Sequence, residues 1–187
     1  MNIVIGLGNP GNTHAQQRHN VGFMVLDALA SKESLHFEDK KVFSAAIATF
    51  GQLLLAKPDT FMNNSGVAAK SLAKQYDAPI AVVYDDIDIN LGDIKCSFGR
   101  GAGGHNGVQS MIDYLDTKDF FRIRVGVRPV HEELLPRIAP PDGFEKFLLS
   151  NFSDVEVELL QKGIEKAIQI IESLPHKSIE EIMNGFN

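Results

Sequence analysis

The chain has a single cysteine, Cys96, among its 187 residues. That excludes an intrachain disulfide framework and leaves no CxxC pair for a metal. A lone small thiol in a strand-like run is expected to be buried rather than nucleophilic. No apolar run approaches the length that crosses a bilayer, and Met1-Asn2-Ile3 leads into a strand with no charged n-region, apolar h-region or small-residue cleavage site. The expectation is a cytoplasmic protein with no membrane role. Two catalytic signatures are also missing: Asn12 rather than lysine follows Gly11, so there is no Walker phosphate loop, and no GxSxG elbow presents a serine nucleophile. Repeats and low-complexity tracts are absent.

What is present fits one compact α/β domain over residues 1–187, with 44% apolar and 22% charged residues. The net charge of −6 counts against broad nonspecific nucleic-acid binding, yet it is unevenly placed. Between Lys95 and Arg128 six basic residues face three acids, a local +3 that leaves −9 for the remainder. Such a basic island on an acidic body fits a partner gripped at a few phosphates; a solvated mixed-charge face is the plainer alternative.

In chain order, Ile3-Val4-Ile5 predicts a strand, followed by the glycine-rich stretch GLGNPG at 6–11. Apolar spacing from Val21 to Leu29 predicts a helix from Arg18 to about Ser31 with His19 in its first turn. His19 is off the apolar stripe, which leaves a surface cap or a chemical role. Val42–Phe50 and Gln52–Lys57 read as a strand pair, Pro58–Gly66 as a loop, and Val67–Tyr76 as a helix with Asn64 or Ser65 as its N-cap. The apolar run Ile80–Tyr84 predicts a buried strand that stops at Asp85-Asp86-Ile87-Asp88, acids placed to orient a histidine, hold a divalent metal or simply line a turn.

Gly92–Phe98 predicts a further strand, interrupted by five glycines between Gly99 and Gly107, where a backbone must come close to a ligand or form a linker. Asn106 is expected to cap a helix over Val108–Leu115. Phe120–Val127 is a strand whose alternation puts Arg122 and Arg124 on one side, able to act together on an anion, with Arg128 at its end. The proline-rich segment Val130–Asp142 reads as irregular. Ser153 and Glu156 form a capping box for a helix to about Ser173, and Ser178–Met183 a short final helix.

GLGNPG after a strand also satisfies GxGxxG, but Asn12-Thr13 does not continue into a tightly packed helix and no acid closes a second strand, so dinucleotide binding is disfavoured. The remaining inventory is His19, a strand-end acid and the loop amides Asn9, Asn63 and Asn106. It suits hydrolysis without a covalent intermediate: an imidazole takes a proton from water, a carboxylate fixes its tautomer, and amides hold an incipient oxyanion. An ester is the easier substrate for such a site.

GLGNPG at 6–11, RHNVG at 18–22, FMNNSG at 61–66, YDDIDI at 84–89, GAGGHNG at 101–107 and FRIRVGVRP at 121–129 together resemble bacterial peptidyl-tRNA hydrolases. The resemblance implies a monomeric α/β protein, a mixed twisted sheet surrounded by helices, that cleaves the ester joining a peptide to the 3′ ribose of tRNA and uses no metal or organic cofactor. By the same resemblance His19 is the water-activating base and Asp85 the acid that orients it. Asn9 lies near the water and substrate carbonyl, and Asn63 and Asn106, with Phe61 and His14 on the pocket wall, bind the peptide and tRNA end. Arg124 is part of a clamp on the tRNA 5′ phosphate. Ser97 stands where the family has its second basic residue, so Lys95, Arg100 or Arg128 is expected to supply it. His14 and Gln17 replace an aromatic residue and a threonine, and FEKFLLSNFSD after Gly143 follows the family loosely. The competing reading, a noncatalytic RNA-binding module of the same fold, predicts loss of His19 or Asp85, and both are present.

Overall fold

The structure is a computed structural model that describes residues 1–129 and 143–187. Among these residues seven strands form one mixed sheet: β1 Asn2–Gly6, β2 Glu38–Lys40, β3 Ala45–Phe50, β4 Leu53–Pro58, β5 Ile80–Asn90, β6 Ile94–Phe98 and β7 Phe121–Arg128, ordered β2-β3-β4-β1-β5-β7-β6. The four central strands, β4, β1, β5 and β7, run parallel; β3 joins β4 and β6 joins β7 antiparallel. The helices are α1 Val21–Lys32, α2 Gly66–Tyr76, α3 Asn106–Leu115, α4 Gly143–Leu148, α5 Val157–Ser173 and α6 Ile179–Phe186.

Alternation along the central strands divides the core between the two faces. Val4, Leu55, Val83 and Ile123 face α1 and α5 in one cluster. Ile3, Ile5, Leu54, Ala56 and Val82 face α2 and α3 in the other. Strands covered on both sides need apolar residues at every position, which is why β1 and the first half of β5 read as unbroken apolar runs.

Several boundaries differ from the sequence expectations, each for a local reason. The residues Arg18–Asn20 form a 3-10 turn ahead of α1, so His19 precedes the α-helix instead of lying in its first turn. Lys41–Phe43 is a 3-10 turn between β2 and β3, with Ser44 left-handed at its end. Neither Asn64 nor Ser65 caps α2 through its side chain; the Ser65 hydroxyl donates to Met62 O (2.9 Å), and Ser110 Oγ accepts the Gly66 N–H (3.0 Å) in its place. β5 does not stop at Asp85 but continues to Asn90, with a register irregularity against β7 between Asp86 and Asn90. The cap of α3 is His105, whose side chain accepts from Val108 N, and Asn106 is the first helical residue. The Ser153–Glu156 capping box is present and opens a 3-10 turn that leads into α5. Val130–Asp142 lies outside the described residues. Cys96 sits buried on β6, and burial pushes its thiol up to about 12, so it packs as a small apolar group.

Candidate active site

Chain leaving β1 turns into α1 on one face of the sheet, while chain leaving its neighbour β4 turns into α2 on the other. Such a divergence opens a crevice beyond the carboxyl ends of the strands. It is occupied here by a cavity of about 940 Å³ lined by residues including Asn9, His19, Asn63, Asp85, His105 and Arg124.

His19 reaches it because two glycines bring α1 onto the strand ends. A Cβ on Gly22 would stand 2.4 Å from Val83 O and 2.5 Å from Leu7 N, and one on Gly6 would stand 2.5 Å from Gly22 O. Only glycine permits that approach. His19 Nδ1 then lies 2.8 Å from Asp85 Oδ1, with the two side chains 12% and 2% exposed. An ionised carboxylate only accepts hydrogen bonds, so His19 carries its proton on Nδ1, and Nε2 is left as the basic nitrogen.

His105 completes the triad. Its Nε2 lies 3.2 Å from the same Asp85 oxygen and its Nδ1 accepts the Val108 N–H at 3.3 Å, which fixes the proton of the neutral ring on Nε2 as a donor to Asp85. Burial alone would raise the Asp85 carboxyl, but its electrostatic interactions and hydrogen bonds with His105 and His19 outweigh it and hold the group well below the ordinary carboxylate range. For His19 burial is again the largest single influence and lowers it; the Asp85 charge and hydrogen bond prevail, and the net shift is upward from 6.5. These three residues are also the one group of ligand-type side chains close enough to hold a metal among the described residues. The tautomers oppose it, because the lone pair that His105 would offer at Nε2 is protonated in the neutral ring.

Asn9 is buried and fixed on three sides. Its N–H donates to Asn20 Oδ1 and its carbonyl accepts from Asn20 Nδ2, both at 2.9 Å, which ties the β1 loop to the residue after His19. Met62 N donates to Asn9 Oδ1 at 2.8 Å. The amide oxygen is thereby taken, and the Nδ2 donors remain for the cavity. Phe61, Asn63 and Asn106 are exposed on the cavity lining. His14 is not on that lining; it hydrogen-bonds Gln17 (2.9 Å) and meets Phe61 edge-on, with centroids 6.3 Å apart.

The basic residues separate into different roles. Arg122 and Arg124 share a face as the alternation predicts, but they do not act together on an anion. Arg122 is 1% exposed and donates to the carbonyls of Arg100 and Gly101, pinning the glycine-rich loop, whereas Arg124 is ion-paired with Asp86 (2.7 Å). Asp86 is accordingly not a free turn residue. Ser97 lies opposite Arg122 in the β6–β7 register, and Lys95 lies opposite Arg124. Lys95, Arg100 and Arg124 line the cavity, and Arg128 is exposed at the end of β7, off it.

A family model described as peptidyl-tRNA hydrolase matches residues 3–187. The chain belongs to the peptidyl-tRNA hydrolase family. It is 37% identical over 194 residues to the peptidyl-tRNA hydrolase of Syntrophomonas wolfei, covering 100% of both chains, and 34% identical over 194 residues to that of Bacillus subtilis, covering 100% of this chain and 98% of the relative. The crystal structure of peptidyl-tRNA hydrolase from Acinetobacter baumannii superposes with a TM-score of 0.85 at 28% identity, over 100% of this chain and 94% of that one. The activity that belongs to the family is hydrolysis of peptidyl-tRNA, an ester-cleaving reaction, and nothing favours the noncatalytic reading. His105 is the residue that sequence reasoning left without a role. The signal was there, a histidine between Gly104 and Asn106, but only its pairing with Asp85 gives it meaning.

Proposed function

We propose that His19 and Asp85 are the catalytic pair of this hydrolase and that Asn9 supplies the oxyanion donor. His19 Nε2 takes a proton from water as the water oxygen bonds to the ester carbonyl carbon. Asp85 stays ionised and stabilises the imidazolium through Nδ1–H. The carbonyl oxygen, now an anion, accepts from Asn9 Nδ2. The tetrahedral species collapses, the bond to the 3′ ribose oxygen breaks, and the imidazolium returns its proton to that oxygen. The products are free peptide acid and tRNA, with no acyl-enzyme.

The observation that carries this reading is the contact of His19 Nδ1 with Asp85 Oδ1 at 2.8 Å, which puts the ring proton on Nδ1, while Nε2 makes no hydrogen bond to a described residue. Asn63, Asn106 and Phe61 hold the peptide backbone and the unpaired tRNA end, with His14 shaping that wall through Phe61. Lys95 and Arg124, paired across β6 and β7, form the core of the tRNA phosphate grip; Arg100 and Arg128 extend it along the acceptor stem. The whole chain, 1–187, works as a single domain, monomeric and cytoplasmic. Rapid-quench kinetics with an N-acyl-aminoacyl-tRNA test the direct mechanism. Product should form without a burst and without acylated protein; a burst accompanied by an acyl adduct would contradict it.

A further inference from the structure

One residue before the base, Arg18 is buried where an exposed cation would be expected on a 3-10 turn. Its guanidinium makes a two-toothed pair with Glu156 at 2.9 and 2.7 Å, both side chains being nearly solvent-free at 5% and 1%. The same plane lies over the rings of Phe147 and Phe152, 4.3 and 4.6 Å from their centroids. Further donors reach Ser150 Oγ and Asn151 O at 3.4 Å. The main chain is tied as well, with Arg18 N donating to Ser150 O at 3.0 Å and Gln17 bridging to Asn151.

Every one of these partners belongs to the stretch 147–156, whose beginning is the end of α4. That helix and the residue after it contribute Glu145, Leu148 and Leu149 to the wall of the cavity. Arg18 therefore stands between the cavity wall on one side and His19 on the other. A buried ion pair is a poor device for stability alone, since apolar residues of like volume commonly do as well. What a planar, forked, stacked guanidinium adds is orientation.

We propose that Arg18 is a positioning residue: with Glu156 it locks the turn that carries His19 and the α4 wall of the cavity into one rigid unit, so that the base and the surface against which substrate lies keep a fixed relation. The inference rests on the reading of His19 as base. Among the described residues, the ionisable groups that face His19 are Asp85 from β5 and His105 ahead of α3; Asp86 and Asp88 of β5, Lys95 of β6, Arg100 of the glycine-rich loop, Arg122 and Arg124 of β7 and Glu145 of α4 line the same cavity, and the charges of Arg18 and Glu156 offset one another behind the turn.

The test is Arg18→Lys, which keeps the charge and removes the fork and the flat stacking face. Turnover of N-acyl-aminoacyl-tRNA, corrected for folded fraction by circular dichroism, should fall about 10–100-fold with a smaller change in KM, because sub-ångström misplacement acts on the chemical step. The acid-limb inflection of kcat/KM should move down toward the ordinary histidine value of about 6.5, since a loosened turn weakens the Asp85 bond and leaves burial less opposed. Unchanged corrected turnover, or a loss of turnover with the inflection unmoved, overturns the proposal. Should Arg18→Lys fail to fold, Glu156→Gln, which keeps hydrogen-bonding capacity without the charge, carries the same two expectations. NMR titration of the His19 ring in wild type and variant reads the coupling without turnover. A failed base assignment would show as activity surviving in His19→Ala, while failed coupling would show as an unshifted ring titration.

Discussion

His19 Nδ1 and Asp85 Oδ1 are 2.8 Å apart, and in the proposed mechanism that contact sets both the tautomer of the base and the pH range in which it works. Asp85→Asn removes the charge that holds His19 above 6.5, leaving burial, which favours the neutral ring. The kcat/KM inflection should therefore shift to lower pH, and turnover on the plateau should fall by orders of magnitude, up to about 10⁴-fold by analogy with other oriented histidines. An inflection that stays put or rises removes Asp85 from this role. The same contact couples to stability: with His19 raised in the folded state, its contribution is complete below the unfolded pKa and is lost as pH rises through the folded one.

Asn9 separates two jobs within one side chain. Its oxygen takes the buried Met62 N–H, and its NH₂ group serves the cavity. Asn9→Asp keeps an acceptor for Met62 and exchanges the donors for negative charge. It should fold, keep KM within a small factor and lose about 10²–10³-fold in kcat. Asn9→Ala should lose comparable activity and in addition about 1–3 kcal/mol of stability, because the Met62 N–H is left unpaired. Near-normal kcat in Asn9→Asp would transfer the oxyanion role to another amide.

Lys95 and Arg124 sit directly across β6 and β7 from one another, with Asp86 already paired to the arginine. Asp86 engages Nε and Nη2 of Arg124, so a phosphate there would meet the donors that remain on Nη1. Lys95→Ala and Arg124→Ala should each weaken tRNA binding and reduce the slope of log affinity against log salt by about 1. Binding titrations across a range of potassium chloride decide it. Slopes equal to wild type in both variants would place the phosphate elsewhere.

Much of the candidate site was legible because its residue types stand out: a histidine after a glycine loop, an acid at the end of an apolar run, amides at helix entrances. The less legible parts depended on partners distant in sequence. β5 continues through its acids because Asp85 is met by His19 and His105 and Asp86 by Arg124, and no local preference reports such pairing. Arg122 shares the parity of Arg124, yet parity does not reveal that loop carbonyls of Arg100 and Gly101 are waiting for it. The cap of α3 fell one residue early because the His105 ring can accept from Val108 while reaching Asp85 with its other nitrogen. Gly6 reads as part of a glycine-rich loop and Gly22 as one residue of a predicted helix, and neither reading reveals their shared effect, the close packing of α1 on the strands.

In the proposed mechanism one imidazole, that of His19, activates the water. Hydrolysis of purified N-acyl-aminoacyl-tRNA by wild type and His19→Ala, at equal folded concentration across pH, tests it most directly. The variant should lose at least about 10²-fold in kcat, the lower bound for a general base, together with the acid-limb inflection. Near-full activity in the variant, with the wild-type pH profile, would contradict the account.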